Sequence, residues 1–266
     1  MFSRGLFAKK KGMSAPFLKP LISPARFDAV LFDLDGVITA TDKTHFAAWK
    51  TLFDSYLEAR GRREGEGFQP FSEDDMATLV DGKLRHEGVR SFLGSRGIVI
   101  PEGTPGDAEG IETMYGLGNL KGRLFADAIQ TEGVTVFAGS VALLEALRAV
   151  GIRCAVVSSS RNCRRVLKAA GIGALIDVRF DGINATGMNL VGKPNPDTYL
   201  KAAEWAGVEP ARAVVVEDAI SGVQAGRAGG FGLVIGVDRT GIAGALRDAG
   251  ADMVVRDLDE LLLEEA

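Results

Sequence analysis

Several features that mark common protein classes are scarce or missing in this 266-residue sequence. Only two cysteines are present, Cys154 and Cys163, so a disulfide-rich framework is excluded, and both lie in predicted strand or helix as packing residues. No apolar run approaches the roughly 20 residues that a membrane helix needs. The formal net charge of −4 provides no general field for a polyanion. We therefore expect no membrane partner and no nucleic-acid partner, with the cytoplasm as the default location.

The first 26 residues lack acidic side chains and instead hold six basic residues and three prolines. Proline breaks any long helix, because it has no N–H to donate and its ring clashes with the preceding turn. The apolar stretch of a secretory signal is also missing. This composition predicts a basic, disordered extension over residues 1–26, with a transit peptide as the alternative.

What is present is ordinary globular composition, with 46% hydrophobic and 25% charged residues in a length that suits one large or two ordinary domains. Short apolar segments predict strands, and segments with helical spacing lie between them. The strands are predicted at 29–32, 152–157, 213–216, 232–237 and 253–255, and the helices at 140–150, 220–227 and 240–249, with a short C-terminal helix. This alternation predicts an α/β fold built on an open, doubly wound parallel sheet.

Residues 42–132 do not follow this alternation. Apolar faces at helical spacing predict helices over 43–57, 73–93 and 119–129. We expect a mostly α-helical cap domain over residues 42–132, inserted after the first strand, and a core domain made of residues 27–41 and 133–266. Because the chain leaves and re-enters the core at the edge that follows the first strand, the insert is placed as a lid.

Two aspartates follow the first predicted strand, Ala29–Phe32. Strand side chains repeat every two residues, so Asp33 and Asp35 can point to the same side, and Gly36 lets the chain turn away. Open α/β sheets bind ligands at this carboxyl edge. Two like charges there need a cation or a shared proton, and Mg²⁺ with phosphate is the obvious partner. The alternative is an Asp-rich turn after a strand.

Three later segments place polar side chains at strand ends or in a rigid loop. Ser158 ends one predicted strand and suits a phosphate oxygen, or simply an N-cap. Lys193 lies in the proline-containing loop Gly192–Pro196 and can neutralise a phosphate, or stay solvated. Glu217 and Asp218 follow another buried strand and can complete a Mg²⁺ site, or cap the next helix.

The order of these four positions resembles the haloacid dehalogenase superfamily of phosphohydrolases and phosphomutases. Within that superfamily the chain is similar to the β-phosphoglucomutase-like subfamily, over about residues 28–262. The similarity is carried by the run from Asp33 to Lys50, by Ser158–Asn162 and by Lys193–Asp197. The resemblance implies the same α/β fold and a phosphoryl-transfer reaction.

The resemblance implies a role for each acid at the strand ends. Asp33 would be the nucleophile that becomes phosphorylated, and also a Mg²⁺ ligand. Asp35 would be the general acid/base, with its backbone carbonyl on the metal. Asp218 would be a metal ligand, with Glu217 beside it as a further member of the metal site. Mg²⁺ is thus the implied cofactor.

The resemblance also implies which residues hold phosphate. Ser158, Lys193 and the backbone of Ser159 would hold the transferring phosphoryl group. Asn162 falls where the family contacts the phosphate region of the substrate. A phosphoryl-transfer transition state needs mainly alignment and charge neutralisation, which these groups supply.

The insert decides between a mutase and a phosphatase, because a mutase must exclude water and hold a bisphosphate at both ends. Arg85, in the run Asp81–Arg85, resembles the phosphate-binding arginine of the mutase lid, and Lys121 resembles its lid lysine. His45 and Trp49 match the first lid helix, where the histidine couples lid closure to catalysis. The alternatives are solvated surface charges for Arg85 and Lys121. For Trp49 the alternative is core packing, and for His45 a plain helix N-terminal position.

Three positions depart from the family's pattern: Ala40, Asp81 and Gly122 stand where the subfamily has an aspartate, a lysine and an asparagine. They alter hinge and sugar-contact positions, so the identity of the sugar stays open. The second histidine, His86, has no matching role and is expected at the surface.

We predict a Mg²⁺-dependent phosphomutase that interconverts β-D-glucose 1-phosphate and glucose 6-phosphate through an aspartyl phosphate and a bisphosphate intermediate. The alternative is a phosphatase of small sugar or alcohol phosphates on the same scaffold. A third hypothesis is a non-catalytic phospho-aspartate signalling domain. Asp35 and the long insert argue against it, because a signalling switch needs neither a proton shuttle nor a lid. We expect a small phosphorylated sugar as the partner, and a monomer.

Overall fold

The computed structural model describes residues 18–65 and 67–263, and its centre is one sheet of parallel strands. The strands are β1 (Ala29–Phe32), β2 (Arg153–Ser158), β3 (Val178–Asp181), β4 (Ala213–Glu217), β5 (Leu233–Val237) and β6 (Met253–Val255). Their order in the sheet is β3-β2-β1-β4-β5-β6. The first strand is central and the chain winds away to each side of it, which confirms the predicted α/β, doubly wound fold.

The central strands are apolar because both faces of the sheet are covered. Val30 and Phe32 of β1 pack into one apolar cluster, whereas Ala29 and Leu31 pack into a second one. Alternate residues of a strand point to opposite faces, so the two clusters lie on the two sides of the sheet. With both faces filled, only the strand ends are left for functional side chains.

A largely helical insert lies between β1 and the rest of the sheet. It contains α1 (Asp42–Glu64), α2 (Glu73–Asp75), the π-helical turn Met76–Val80, α3 (Arg85–Ser95) and α4 (Met114–Glu132). Its interior is aromatic: the ring centroid of Phe53 lies 5.1 Å from that of Trp49, 5.2 Å from that of Phe71 and 4.0 Å from that of Phe92. This apolar cluster is separate from the two that cover the sheet. The insert therefore has an interior of its own.

The remaining helices alternate with the strands and cover the sheet. They are α5 (Ala138–Ala149), α6 (Cys163–Ala170), α7 (Gly182–Gly187), α8 (Asp197–Ala206), α9 (Ile220–Ala228) and α10 (Ala243–Asp248). A 3₁₀ turn, Leu258–Leu261, stands where a short C-terminal helix was predicted. None of the described helices combines the length and the apolar character that crossing a membrane requires.

The helix predicted over residues 73–93 is wrong as one continuous element. The chain leaves the π-helical turn after Val80 and re-enters a helix only at Arg85. Gly82, in this break, has a φ of 72°, a left-handed conformation that glycine adopts without steric cost. The break ends directly before Arg85, one of the candidate phosphate-binding residues of the insert.

Two other differences have local causes. The strand β3 was not predicted, because it is an edge strand whose first residues, Val178 and Arg179, are only partly buried, so it lacks a continuous apolar run. The helix predicted over 240–249 begins only at Ala243. Its first residues form a turn instead, in which the Asp238 carboxylate accepts the N–H groups of residues 241 and 242 at 2.6 and 2.8 Å.

Of the predicted N-terminal extension, residues 1–17 lie outside the described residues. The following stretch is packed: Leu18 bridges to Leu262, and Ile22 is only 1% exposed. Disorder is therefore a wrong prediction for residues 18–26, because Leu18, Leu21 and Ile22 supply apolar contacts to a cluster that covers the sheet.

Candidate active site

The ends of β1, β2 and β4 meet at one edge of the sheet. The register pairs Phe32 with Val156 on one side and with Val216 on the other. The N–H of Asp33 continues this ladder by donating to the carbonyl of Val216 at 2.9 Å. Asp33 therefore stands level with Glu217, and the polar strand ends predicted from the sequence form one cluster in space.

Lys193 is the central cation of this cluster. Its buried Nζ donates to Asp33 Oδ1 at 2.6 Å, to Glu217 Oε1 at 2.5 Å and to the carbonyl of Val157 at 3.2 Å. Burial works against its charge, yet the carboxylates of Asp33 and Glu217 raise the pKa of Lys193 above its usual value. Lys193 is thus a buried cation shared by two acids and not a solvated surface lysine.

Glu217 is fully buried and is engaged by protein donors. The Tyr199 hydroxyl donates to Oε1 at 2.8 Å beside Lys193, and the N–H of Ala219 donates to Oε2 at 3.3 Å. These contacts make Glu217 the anchor of Lys193 and do not support the metal-ligand role predicted for it. Tyr199 was missed from the sequence, because nothing local separates it from an aromatic residue that only packs in the core.

The two aspartates after β1 lie in unlike surroundings. Burial raises the pKa of Asp33 well above its usual value, although the Lys193 ammonium pulls it down. Burial would do the same at Asp35, but His45 and the Thr41 hydroxyl hold the pKa of Asp35 below its usual value. Thr41 Oγ1 donates to Asp35 Oδ1 at 2.5 Å, and His45 Nε2 lies 3.3 Å from the same oxygen. The two carboxyls are therefore suited to different chemical roles.

A second line of contacts runs from Asp35 into the insert. His45 Nδ1 lies 2.6 Å from Lys121 Nζ, while the other ring nitrogen faces Asp35. Burial and the nearby Arg85 lower the pKa of Lys121 to about 7. Burial and Lys121 in turn lower the pKa of His45. An acid, an imidazole and an amine in line can pass a proton or fix the imidazole tautomer.

Trp49 lies in the interior of the insert and is 4% exposed. Its ring stacks on Phe53, and the Lys121 ammonium lies 4.9 Å from its ring centroid. Direct substrate contact, as predicted for Trp49, is not supported, because the ring reaches the site only through Lys121. The structure instead shows the alternative, core packing.

Arg85 begins α3, and its guanidinium lies against Gly122 of α4. An added Cβ at position 122 would lie 1.9 Å from Arg85 Nη1, so the glycine makes room for the guanidinium. Burial and the nearby Arg161 lower the pKa of Arg85 to about 9. Within the described chain neither Arg85 nor Lys121 has a carboxylate partner; Nη1 of Arg85 approaches only the carbonyl of Gly118, at 3.5 Å. Both cations of the insert are therefore available to an anion.

The loop after β2 joins the sheet to the insert. Ser158 Oγ accepts the backbone N–H of Ser160 at 3.1 Å. Ser159 Oγ donates to the carbonyl of Gly82, in the insert, at 2.5 Å. Asn162 Nδ2 donates to the carbonyl of Gly122 at 3.0 Å, and Gly122 is the residue against which the Arg85 guanidinium lies. Arg161 contacts α4, because its Nη1 donates a hydrogen bond to Asn119 Oδ1 at 3.0 Å. Arg161 was missed, although it lies inside the run that carries the family resemblance.

The carboxylates of Asp42 and Asp218 lie beside Gly36, and that of Asp81 is close enough to both to repel them. An added Cβ at Gly36 would lie 1.8 Å from Asp218 Oδ2 and 2.9 Å from Asp42 Oδ1. Burial, reinforced by repulsion from neighbouring acids, raises the pKa of Asp218 well above its usual value, that of Asp42 to about 7 and that of Asp81 to about 6. Asp42 was missed, because an acid in the first turn of a helix is typical of capping.

This crowding of partly buried acids fits a hard divalent cation, which would relieve their repulsion. Mg²⁺ prefers oxygen ligands and keeps several waters, so it needs only a few protein groups. Asp33 and Asp218 would offer carboxylates and Asp35 its backbone carbonyl. Across residues 18–65 and 67–263, no group of three or more His, Cys, Asp or Glu side chains is arranged to hold a metal ion, so the side chains alone would not fill its shell. An open set of ligands suits an ion that shares its shell with a substrate phosphate.

His86 is partly buried, so the predicted surface position is wrong. Its ring stacks on that of Tyr115 with 4.4 Å between centroids, because α3 packs against α4 along this face. Burial and the nearby Arg90 lower the pKa of His86 to about 4, so the ring is neutral at pH 7.

Comparison with known proteins agrees with this geometry. The model of the haloacid dehalogenase-like hydrolase family matches residues 27–230. The chain is 51% identical over 243 residues to a β-phosphoglucomutase of Mycobacterium bovis, which covers 90% of this chain and 93% of that protein. It is 28% identical over 239 residues to hexitol phosphatase A of Escherichia coli, covering 89% and 94% of the two chains.

A solved structure of a β-phosphoglucomutase from Clostridium difficile matches with a TM-score of 0.69 at 24% identity, covering 88% of this chain and 93% of that one. This likeness supports the fold alone. The sequence relatives are a phosphomutase and a phosphatase, so the chain is an enzyme of one of these two types, and the hypothesis of a non-catalytic signalling domain is dropped. The chain belongs to the haloacid dehalogenase-like hydrolases, in their β-phosphoglucomutase-like subfamily.

Proposed function

We propose that the chain interconverts β-D-glucose 1-phosphate and glucose 6-phosphate with Mg²⁺, through an aspartyl phosphate on Asp33 and a bisphosphate. The observation that carries the proposal is the pair of cations in the insert, the buried Lys121 and the partly buried Arg85, which have no acidic partner in the described chain. A bisphosphate has a second phosphate that needs such cations, whereas hydrolysis of a monophosphate does not. The relative from M. bovis supports the choice of sugar.

We call Asp33, Ser158, Lys193 and Glu217 the sheet end of the site, and Arg85 and Lys121 its insert end. At the sheet end, the Lys193 ammonium holds one carboxylate oxygen of Asp33 in place. A carboxylate oxygen of Asp33 forms a bond to phosphorus while the bond to the leaving sugar oxygen breaks. The Lys193 ammonium and the Ser158 hydroxyl offset charge on the phosphoryl oxygens, and Glu217 keeps Lys193 in place. The carboxylates of Asp33 and Asp218 and the backbone carbonyl of Asp35 would hold Mg²⁺, which supplies further charge neutralisation when bound.

Asp35 is the proposed general acid/base. It gives a proton to the leaving sugar oxygen and, in the second half of the reaction, takes one from the attacking hydroxyl. Thr41 and His45 hold one of its oxygens. Lys121 lies on the far side of His45, so an anionic phosphate beside Lys121 favours the charged amine and orients the imidazole. The distal phosphate is thereby coupled to the acid/base group.

A monomer stays our prediction. We likewise propose residues 42–132 as the cap and residues 27–41 with 133–266 as the core. Three contacts support this division, because they bring the insert to the sheet edge that bears Asp33: His45 with Asp35, Ser159 with the carbonyl of Gly82, and Asn162 with the carbonyl of Gly122.

Hydrolysis of small sugar or alcohol phosphates is the second candidate. The identity to hexitol phosphatase A favours it, since water can accept the phosphoryl group from Asp33 as well as a sugar hydroxyl can. The two candidates share the whole sheet end of the site. They differ in whether the insert cations are needed.

The deciding experiment supplies purified protein with β-glucose 1-phosphate, Mg²⁺ and a trace of glucose 1,6-bisphosphate, and follows glucose 6-phosphate and free phosphate together. We expect glucose 6-phosphate to form much faster than phosphate is released. The α-anomer of glucose 1-phosphate is the matched control and should react far more slowly. Release of phosphate without isomerisation would contradict the mutase and leave the phosphatase.

A further inference from the structure

The break in the insert between the π-helical turn and α3, residues 81–84, lies against two loops of the sheet edge. Ser159 Oγ, just after β2, donates to the carbonyl of Gly82 at 2.5 Å. Ser221 Oγ, in the first turn of α9, donates to the carbonyl of Asp81 at 3.0 Å. Hydroxyls that follow two different strands thus hold two consecutive carbonyls of the insert.

The local backbone is shaped for this contact. The N–H of Gly82 turns back to Asp81 Oδ1 at 3.0 Å, while the carbonyls of Asp81 and Gly82 accept hydrogen bonds from the two serines outside the insert. An added Cβ at Gly82 would lie 2.2 Å from Ser221 Oγ, so a side chain there would block the approach. A serine in the first turn commonly caps its own helix. Ser221 instead bonds across to the insert.

The same segment sets the position of functional residues that follow it. Arg85 comes directly after the break, as the first residue of α3. Two residues on, Glu87 accepts the N–H of Gly192 at 3.3 Å, and Gly192 precedes Lys193 in the chain. A movement of the break away from the sheet would therefore carry Arg85 away from Lys193 and open the site to water.

We propose that the hydroxyls of Ser159 and Ser221 form a latch that holds the insert closed over Asp33 during phosphoryl transfer. Both are positioning residues, because their hydroxyls act on the insert, and the backbone N–H of Ser159 stays available to phosphate. If the proposed function holds, the latch sets how often water reaches the phosphorylated Asp33. An insert that opens sooner gives more hydrolysis for each isomerisation.

Hydrogen–deuterium exchange of the whole, substrate-free protein tests the latch without any turnover. In the double variant Ser159→Ala with Ser221→Ala, we expect peptides over residues 80–88 and 190–193 to exchange several-fold faster, with the sheet unchanged. Ser95→Ala is the matched control, because it removes a hydroxyl–carbonyl bond that lies wholly within α3. Exchange in the double variant equal to that of the wild type and of Ser95→Ala would overturn the latch.

The second measurement is the ratio of glucose 6-phosphate formed to phosphate released from β-glucose 1-phosphate. One lost hydrogen bond changes an equilibrium by roughly two- to tenfold, so we expect the ratio to fall about threefold in each single variant and about tenfold in the double variant. Ser159→Thr, which keeps the hydroxyl, should retain the ratio. A wild-type ratio in the double variant would overturn the latch. Absence of isomerisation in the wild type would instead overturn the proposed function, while the exchange experiment still decides the latch.

Discussion

The two ends of the site balance charge in opposite ways. At the sheet end, Lys193 lies within 2.6 Å of Asp33 and 2.5 Å of Glu217, so the cation is matched by acids of the fold itself. At the insert end, the partly buried Arg85 and the buried Lys121 have no acidic partner in the described residues, and their pKa values are lowered to about 9 and about 7. A buried cation without a partner destabilises a fold. The sheet end is therefore assembled in advance, whereas the insert end, in the function that we propose, is completed by the second phosphate of the bisphosphate.

The largest effect is expected from Asp33→Asn, which breaks the sheet end. An amide is a far poorer nucleophile than a carboxylate, so isomerisation and phosphate release should both fall by at least about a thousandfold. The fold should persist, because Lys193 keeps its bond to Glu217. Steady-state rates and circular dichroism check both points against Asp54→Asn, which removes an acid of α1 that pairs with Lys50 and keeps an oxygen to accept the N–H of Phe71. Near-wild-type rates in Asp33→Asn would contradict its role as nucleophile.

Arg85→Ala breaks the insert end and leaves the sheet end intact. Isomerisation should fall by about a hundredfold, because a charge-assisted phosphate contact is lost. Hydrolysis of an aryl phosphate, which has no second phosphate, should fall by less than about threefold. Arg90→Ala, a more exposed arginine of the same helix, is the control and should affect neither rate. Equal losses in the two reactions would remove the distinction between the two ends.

Much of the sheet end could be predicted from the sequence, because its signals are local. Asp33, Ser158 and Glu217 each follow a short apolar run, and the ends of parallel strands meet at one edge. The insert end was accessible only through the family resemblance. The room that Gly122 makes for Arg85 depends on how α3 packs against α4, and no local pattern encodes that contact.

The errors have the same origin. Trp49 matches a functional position in the family, but its place on an apolar helix face put it in the interior of the insert. Glu217 looked like one of a metal-binding pair until the structure placed Lys193 and Tyr199 on its carboxylate. Tertiary contacts, and not the local sequence, decide between such roles.

Lys121→Met sharpens the comparison by separating binding from stability. With a pKa of about 7 in the fold and 10.5 in the unfolded chain, Lys121 binds more protons when unfolded between these values. The free energy of unfolding of the wild type should therefore rise with pH across this range. The variant removes the buried amine and should be roughly 1–3 kcal/mol more stable near pH 7, while isomerising more slowly.

Urea unfolding at pH 7 and pH 9.5 checks this expectation. The advantage of Lys121→Met should narrow as the pH rises, because the free-energy cost of releasing the lysine proton on folding falls as the pH approaches the unfolded pKa of 10.5. Lys50→Met, at a half-exposed lysine of α1, is the control and should show no such pH-dependent advantage. A stability difference that stays constant between the two pH values would contradict an unfavourably buried Lys121.

The smallest effect is expected from Gly122→Asn, which introduces the residue that the subfamily has at this position. The new Cβ would meet the tip of the Arg85 side chain, which is flexible, so the guanidinium should shift while the helices stay packed. Asparagine also favours a helix slightly more than glycine does, so the free energy of unfolding should change by less than about 1 kcal/mol. Isomerisation should fall about three- to tenfold, mainly through a higher KM, because one phosphate contact is displaced but not lost. Gly94→Asn makes the same exchange in α3 at a position where an added Cβ meets nothing within 4 Å. If both variants changed KM alike, the effect would come from replacing a helical glycine by asparagine in general, and not from the contact between Gly122 and Arg85.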